Sequence, residues 1–152
     1  MRALLVNFAL ATCLLVPFGR PELLFAVQAD WESLAKAALL RGELETARRQ
    51  AELALQDPAS APAAHELLGH ISFQEKQNIQ AISHFQSART GGRPTLEMTK
   101  DWSAALLAVD RHAEARDLLE KALSQDSSQS DLRYRLASSY SAQGKWREAW
   151  PH

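Results

Sequence analysis

Two histidines bring the chain nearest to metal chemistry. His65 and His70 bracket Glu66-Leu67-Leu68-Gly69, and a helical zinc pair is likewise built from two histidines with a glutamate between them. That chemistry needs the histidines four residues apart, on one helix face. Here they are five apart, ~140° around a helix of 3.6 residues per turn, so the rings point in different directions and do not chelate one ion. His84 and His112 fall on other helices with no carboxylate or cysteine cluster beside them. Serines are many, but none sits in a strained strand-to-helix turn with a base at hand. Gly91-Gly92 lacks the lysine and following helix of a phosphate loop. The single cysteine, Cys13, makes neither an internal disulfide nor a thiolate metal site. These residues predict no catalytic centre, no cofactor and no metal site. A net charge of −1 gives no broad attraction to nucleic acid or to an anionic membrane.

What the residues do share is a period. Ala81 has Ala47 before it and Ala115 and Ala149 after it, each 34 residues away. At the same step Gly69 is matched by Ala35, Ser103 and Ala137, Ala88 by Ala54 and Ala122, and Leu68 by Leu34, Trp102 and Leu136. No gap is needed. A fixed step of about 34 residues is the length of one helix–turn–helix unit of a stacked array.

Helical spacing recurs within each unit. Trp31, Leu34, Ala35 and Ala38 mark one face of a helix that Gly42 ends, and Leu44, Ala47, Ala51 and Ala54 a second stripe before Asp57-Pro58. Pro62 opens the next unit. There His65, Leu68, Gly69 and Ser72 face inward, opposite Ile79, Ala81, Ile82, Phe85 and Ala88. In the third, Thr95 is a cap before Met98, Trp102, Ala105, Leu106 and Val109, followed by Ala115, Leu118, Leu119 and Ala122. Ser128 and Asp131 have the spacing of a capping box ahead of Leu136, Ala137 and Tyr140. Antiparallel helices at close range need short side chains where they cross, which sets Gly69 and Ala81 against each other. Val and Ile are scarce and nothing alternates at period two, so no sheet is expected.

The first 29 residues are of another kind. Met1-Arg2 is basic, Ala3 to Val16 is uncharged and apolar, Pro17 and Gly19 break it, and Val27-Gln28-Ala29 suits a signal peptidase. The pattern predicts a leader removed between Ala29 and Asp30, and hence export to a periplasm or the exterior. Two alternatives stand beside it. Residues 3–27 retained as an anchor would touch a membrane, although about 14 uninterrupted apolar residues fall short of the ~20 that span one. Leu10-Ala11-Thr12-Cys13 would be a lipid-attachment box, with Thr12 a poor fit.

The repeated unit resembles the tetratricopeptide repeat. Trp31-x-x-Leu34-Ala35-x-x-Ala38 with Ala47, Ala51, Ala54 and Pro58 carries the likeness, as do Leu68-Gly69 with Ala81-x-x-x-Phe85-x-x-Ala88, and Gly144-Lys145-Trp146-x-x-Ala149. It departs at Pro58, one residue early, at Pro94, one late, at Ser127 in place of proline, and at Lys76 and Asp110 in place of the turn glycine. The resemblance implies an all-α, right-handed α-solenoid of antiparallel helix pairs over residues 30–152. Its repeats are about 28–61, 62–95, 96–129 and a truncated 130–152.

It also implies a concave groove lined by the first helix of each pair, which holds a peptide or a partner helix. Glu32, Lys36, Glu66, His70, Phe73, Glu97, Lys100, Asp101, Leu107, Asp131, Tyr134, Arg135 and Ser138 map there. Lys36, His70, Phe73, Lys100, Asp101, Tyr134 and Arg135 are the candidate contacts. The lysine–asparagine clamp with which chaperone-binding members grip a terminal carboxylate is absent, since its positions hold Glu32, Lys36, Leu67, Glu97 and Asp101. The expectation is a non-catalytic scaffold or adaptor of protein partners; the alternative is an accessory or regulatory domain, or a fragment, within an enzyme complex. The short fourth repeat leaves Leu136 and Tyr140 poorly covered, an open end through which the chain would self-associate.

Overall fold

The structure, a computed structural model, describes residues 21–92, 94–145 and 147. Over these the chain is all helix: α1 Pro21–Leu40, α2 Leu44–Ala54, α3 Ala61–Gln74, α4 Asn78–Ala88, a 3₁₀ turn Arg89–Gly91, α5 Leu96–Ala108, α6 His112–Gln125 and α7 Ser130–Ala142. Odd helices pair with the even helix that follows, and each pair stacks on the next; α1, α3, α5 and α7 also touch in succession along one side. The result is an α-solenoid. Residues 1–20, Arg93, Trp146 and residues 148–152 lie outside the described part, and with them most of the expected leader and both C-terminal tryptophans. Helix α1 begins ten residues before Trp31 and passes unbroken through Ala29-Asp30, where the sequence pattern places a cleavage. No described helix is long and apolar enough to cross a membrane.

The 34-residue step is written in the backbone too. Gly42, Lys76, Asp110 and Gly144 all take left-handed φ, at +77°, +65°, +60° and +70°. Each sits one residue before an N–H that reaches back over the helix end: Glu43 to the Ala38 carbonyl at 2.9 Å, Gln77 to Ser72 at 2.9 Å, Arg111 to Leu106 at 2.9 Å and Lys145 to Tyr140 at 3.0 Å. This closure, with a left-handed residue just past the last turn, satisfies carbonyls the helix leaves open. Lys76 and Asp110 hold a conformation that glycine holds at Gly42 and Gly144, so the turn geometry survives the change of residue.

Burial follows the same step. Ala47, Ala81 and Ala115 have no exposed surface, and Ala35, Gly69 and Ser103 are buried. Three apolar clusters run along the array. The first is built on Ala35, Ala51, Leu67, Leu68 and Ile71, the second on Ile82, Phe85, Met98, Trp102 and Leu106, and the third on Leu119, Leu132 and Leu136. Each spans neighbouring pairs, so each pair is completed by the next.

Five details differ from the sequence expectation. The space at Gly69 is filled by the Phe85 ring rather than by Ala81: a Cβ there would lie 2.5 Å from Phe85 Cε1. Leu34 is 58% exposed; its counterparts Leu68, Trp102 and Leu136 are covered by a preceding repeat, and among the described residues none precedes α1. Ile79 is 75% exposed, because it lies two residues before Ala81 and so ~200° away on the helix. No capping box forms at Ser128: Gln129 caps α7 without a side-chain bond, while the Ser128 N–H and hydroxyl both donate to Asp126. Leu136 is fully buried, and Tyr140 packs against the third cluster with its hydroxyl donating to Glu120 at 2.5 Å. The Thr95 cap forms as expected, its Oγ1 accepting from the Met98 N–H at 3.1 Å.

Candidate partner-binding groove

The candidate contacts all belong to α1, α3, α5 and α7, the helices that touch in succession along one side. On α1, Lys36 is exposed and pairs with Glu32 at 2.5 Å. On α5, Lys100 lies 3.4 Å from Glu97 and 3.6 Å from Asp131 of α7. On α7, Tyr134 is 77% exposed, and Arg135 is half-buried with no carboxylate in ion-pair range among the described residues.

His70 is held more firmly. Its Nδ1 is 2.8 Å from Asp101 Oδ2 across the α3–α5 boundary, its Nε2 is 3.8 Å from Glu66, and its ring stands edge-on to Phe85. Burial alone would push the imidazole down; the bonds to Asp101 and Glu66 outweigh it and raise the pKa to about 9. At neutral pH His70 is therefore an imidazolium between two carboxylates. The Glu66 carboxyl is in turn held below its usual range, chiefly by His70, and also accepts from the Thr95 hydroxyl at 2.5 Å.

Three of the expected contacts thus serve the scaffold. His70 and Asp101 bond each other, and Phe73 packs against the second apolar cluster instead of standing free. Lys36 and Tyr134 present their side chains outward, Arg135 lies beside Tyr134, and Lys100 spans α5 and α7.

Sequence reasoning missed the links between repeats. His70 and Asp101 are 31 residues apart, as are Lys100 and Asp131: one repeat less a helical turn. Opposite charges at that offset are the signal that would have found them. It also missed the meeting of His65 and His84, whose Nδ1 atoms are 3.2 Å apart. The His84 pKa is lowered, first by burial and then by His65 and Arg48. Arg48 itself bonds Glu75 at 2.6 Å, tying α2 to the end of α3.

Comparison with known proteins agrees with this architecture. A family model described as "Tetratricopeptide repeat" matches residues 106–149. No curated protein matches the chain in sequence. Among solved structures, a point mutant of MamA superposes with a TM-score of 0.70 at 21% identity, over 80% of this chain and 71% of that one. YrrB, described as "a TPR protein with an unusual peptide-binding site", gives 0.72 at 18% identity, over 83% and 68%. A second MamA mutant gives 0.59 at 21%, over 82% and 91%. Residues 106–149 match the tetratricopeptide repeat in sequence, and the helix pairs before them keep the same 34-residue step in an α-solenoid similar in fold to these structures.

Proposed function

We propose that the protein is an exported, non-catalytic scaffold that holds a partner protein, as an extended peptide or a helix, against the face of α1, α3, α5 and α7. The observation that carries this is Tyr134, a large aromatic on α7 left 77% exposed and next in sequence to the half-buried Arg135. Aromatic and arginine side chains are those from which binding hot spots are most often made. The charged pairs beside them are mixed in sign, which suits neighbours of either charge on the partner and favours no single terminal carboxylate. That YrrB, similar in fold, has a peptide-binding site supports the reading.

The test is affinity for a partner recovered from the native source. Replacing Tyr134 and Arg135 together by Ala should weaken it by at least ~10-fold, the effect of one hot-spot residue, with helicity unchanged. Unaltered affinity would refute the assignment. Export belongs to the same proposal. A cut after Ala29 would remove the first part of α1 and leave Asp30–Leu40 as the opening helix, and the intact mass of the recovered protein reads this directly.

A further inference from the structure

Away from the groove face, one pair of side chains has no role in the scaffold as described. His65 on α3 and His84 on α4 set Nδ1 against Nδ1 at 3.2 Å, with ring centroids 5.4 Å apart and planes tilted by 36°. Both rings are half-buried. A neutral imidazole has one N–H and one lone pair. Two Nδ1 atoms that face each other are satisfied in one of two ways, by a hydrogen bond between neutral rings of opposite tautomer or by a metal ion between two lone pairs. In the first, one ring donates and the other accepts. In the second, both lone pairs are used.

We infer that His65 and His84 form a two-histidine site for a divalent transition-metal ion of the copper–zinc class. Imidazole nitrogen suits these ions, and their bonds to it are ≈2.0–2.1 Å. An ion that far from both nitrogens, across the observed 3.2 Å, subtends about 100–105°, between the square-planar and tetrahedral angles.

The frame that holds the two rings is rigid. Helices α3 and α4 form one repeat, joined by the left-handed turn at Lys76 and packed through Gly69 on Phe85. The nearest cation, Arg48, is bonded at 2.6 Å to the Glu75 carboxylate, which offsets its charge. Among the described residues no third histidine, cysteine or carboxylate converges on the pair, so the remaining coordination positions belong to water. The site is then open and exchangeable, and by the usual order of divalent ions it favours Cu(II) over Zn(II).

The experiment uses the full chain without a polyhistidine tag, titrated with CuCl₂ and separately with ZnCl₂, read by calorimetry and by copper EPR. One ion per chain is expected, with two imidazole nitrogens coupled to the first equivalent of copper. His65→Ala and His84→Ala should each weaken binding at least ~10-fold, while His112→Ala leaves it unchanged. Binding that survives both substitutions in folded protein, or an EPR spectrum of the unaltered chain with fewer than two coupled nitrogens, would overturn the site. The spectrum decides the matter even if a variant fails to fold.

Discussion

His70 shows how a residue that looks like a ligand becomes part of the frame. It stands on the face where a partner is expected, yet Asp101 at 2.8 Å and Glu66 at 3.8 Å claim both ring nitrogens. Its folded pKa of about 9 exceeds the 6.5 of an unperturbed histidine. A raised pKa contributes stability that is fully present below pH 6.5 and is lost as pH climbs through about 9. The contribution is on the order of 3 kcal/mol before solvent screening of the partly exposed carboxylates, and less after it. Urea midpoints should therefore fall between pH 6.5 and 9 in the natural chain, and fall much less in His70→Gln. A parallel decline in both proteins would show that the imidazolium contributes nothing. The residues themselves suggested none of this, because His70 and Asp101 are 31 positions apart and meet only when α3 and α5 lie side by side.

At the level of the element, the turns carry the clearest test. Lys76 and Asp110 stand where the tetratricopeptide pattern has glycine, and both hold positive φ. Left-handed backbone costs a residue with a Cβ roughly 1–2 kcal/mol, against which glycine's extra freedom in the unfolded chain sets about 0.4–1 kcal/mol. Lys76→Gly should accordingly stabilise the protein by about 0.5–1 kcal/mol. The same change at Lys121, inside α6, should cost about 1 kcal/mol. Chemical denaturation of the two variants measures both, and a loss of stability in Lys76→Gly would contradict the turn geometry.

The elements are also where sequence and structure can be compared most fairly. Small residues repeat because helices cross at fixed points, so Ala47, Ala81 and Ala115 revealed the step, the pairing and the cores. Which large side chain fills the space beside a small one depends on the rotation of each helix about its axis. A rotation of that kind put Phe85, not Ala81, against Gly69, whereas the outward turn of Ile79 follows from its spacing to Ala81 alone. Contacts across two helices, such as His65 with His84, were out of reach for the same reason.

Over the whole molecule, the three apolar clusters are joined end to end, each completed by the neighbouring pair. Such an array is stable through its interfaces and leaves long faces free for other chains. Charged pairs cross the repeat boundaries at His70–Asp101 and Lys100–Asp131 and tie α3 to α5 and α5 to α7. The central claim is that a partner lies on the face of α1, α3, α5 and α7. Site-specific photo-crosslinking in the native compartment tests it most directly, with the reactive group placed in turn at Lys36 and Tyr134 on the odd helices and at Gln80 and Glu120 on the even ones. The account predicts that one and the same partner is captured from Lys36 and Tyr134 and not from Gln80 or Glu120. Capture from the even helices alone would contradict it.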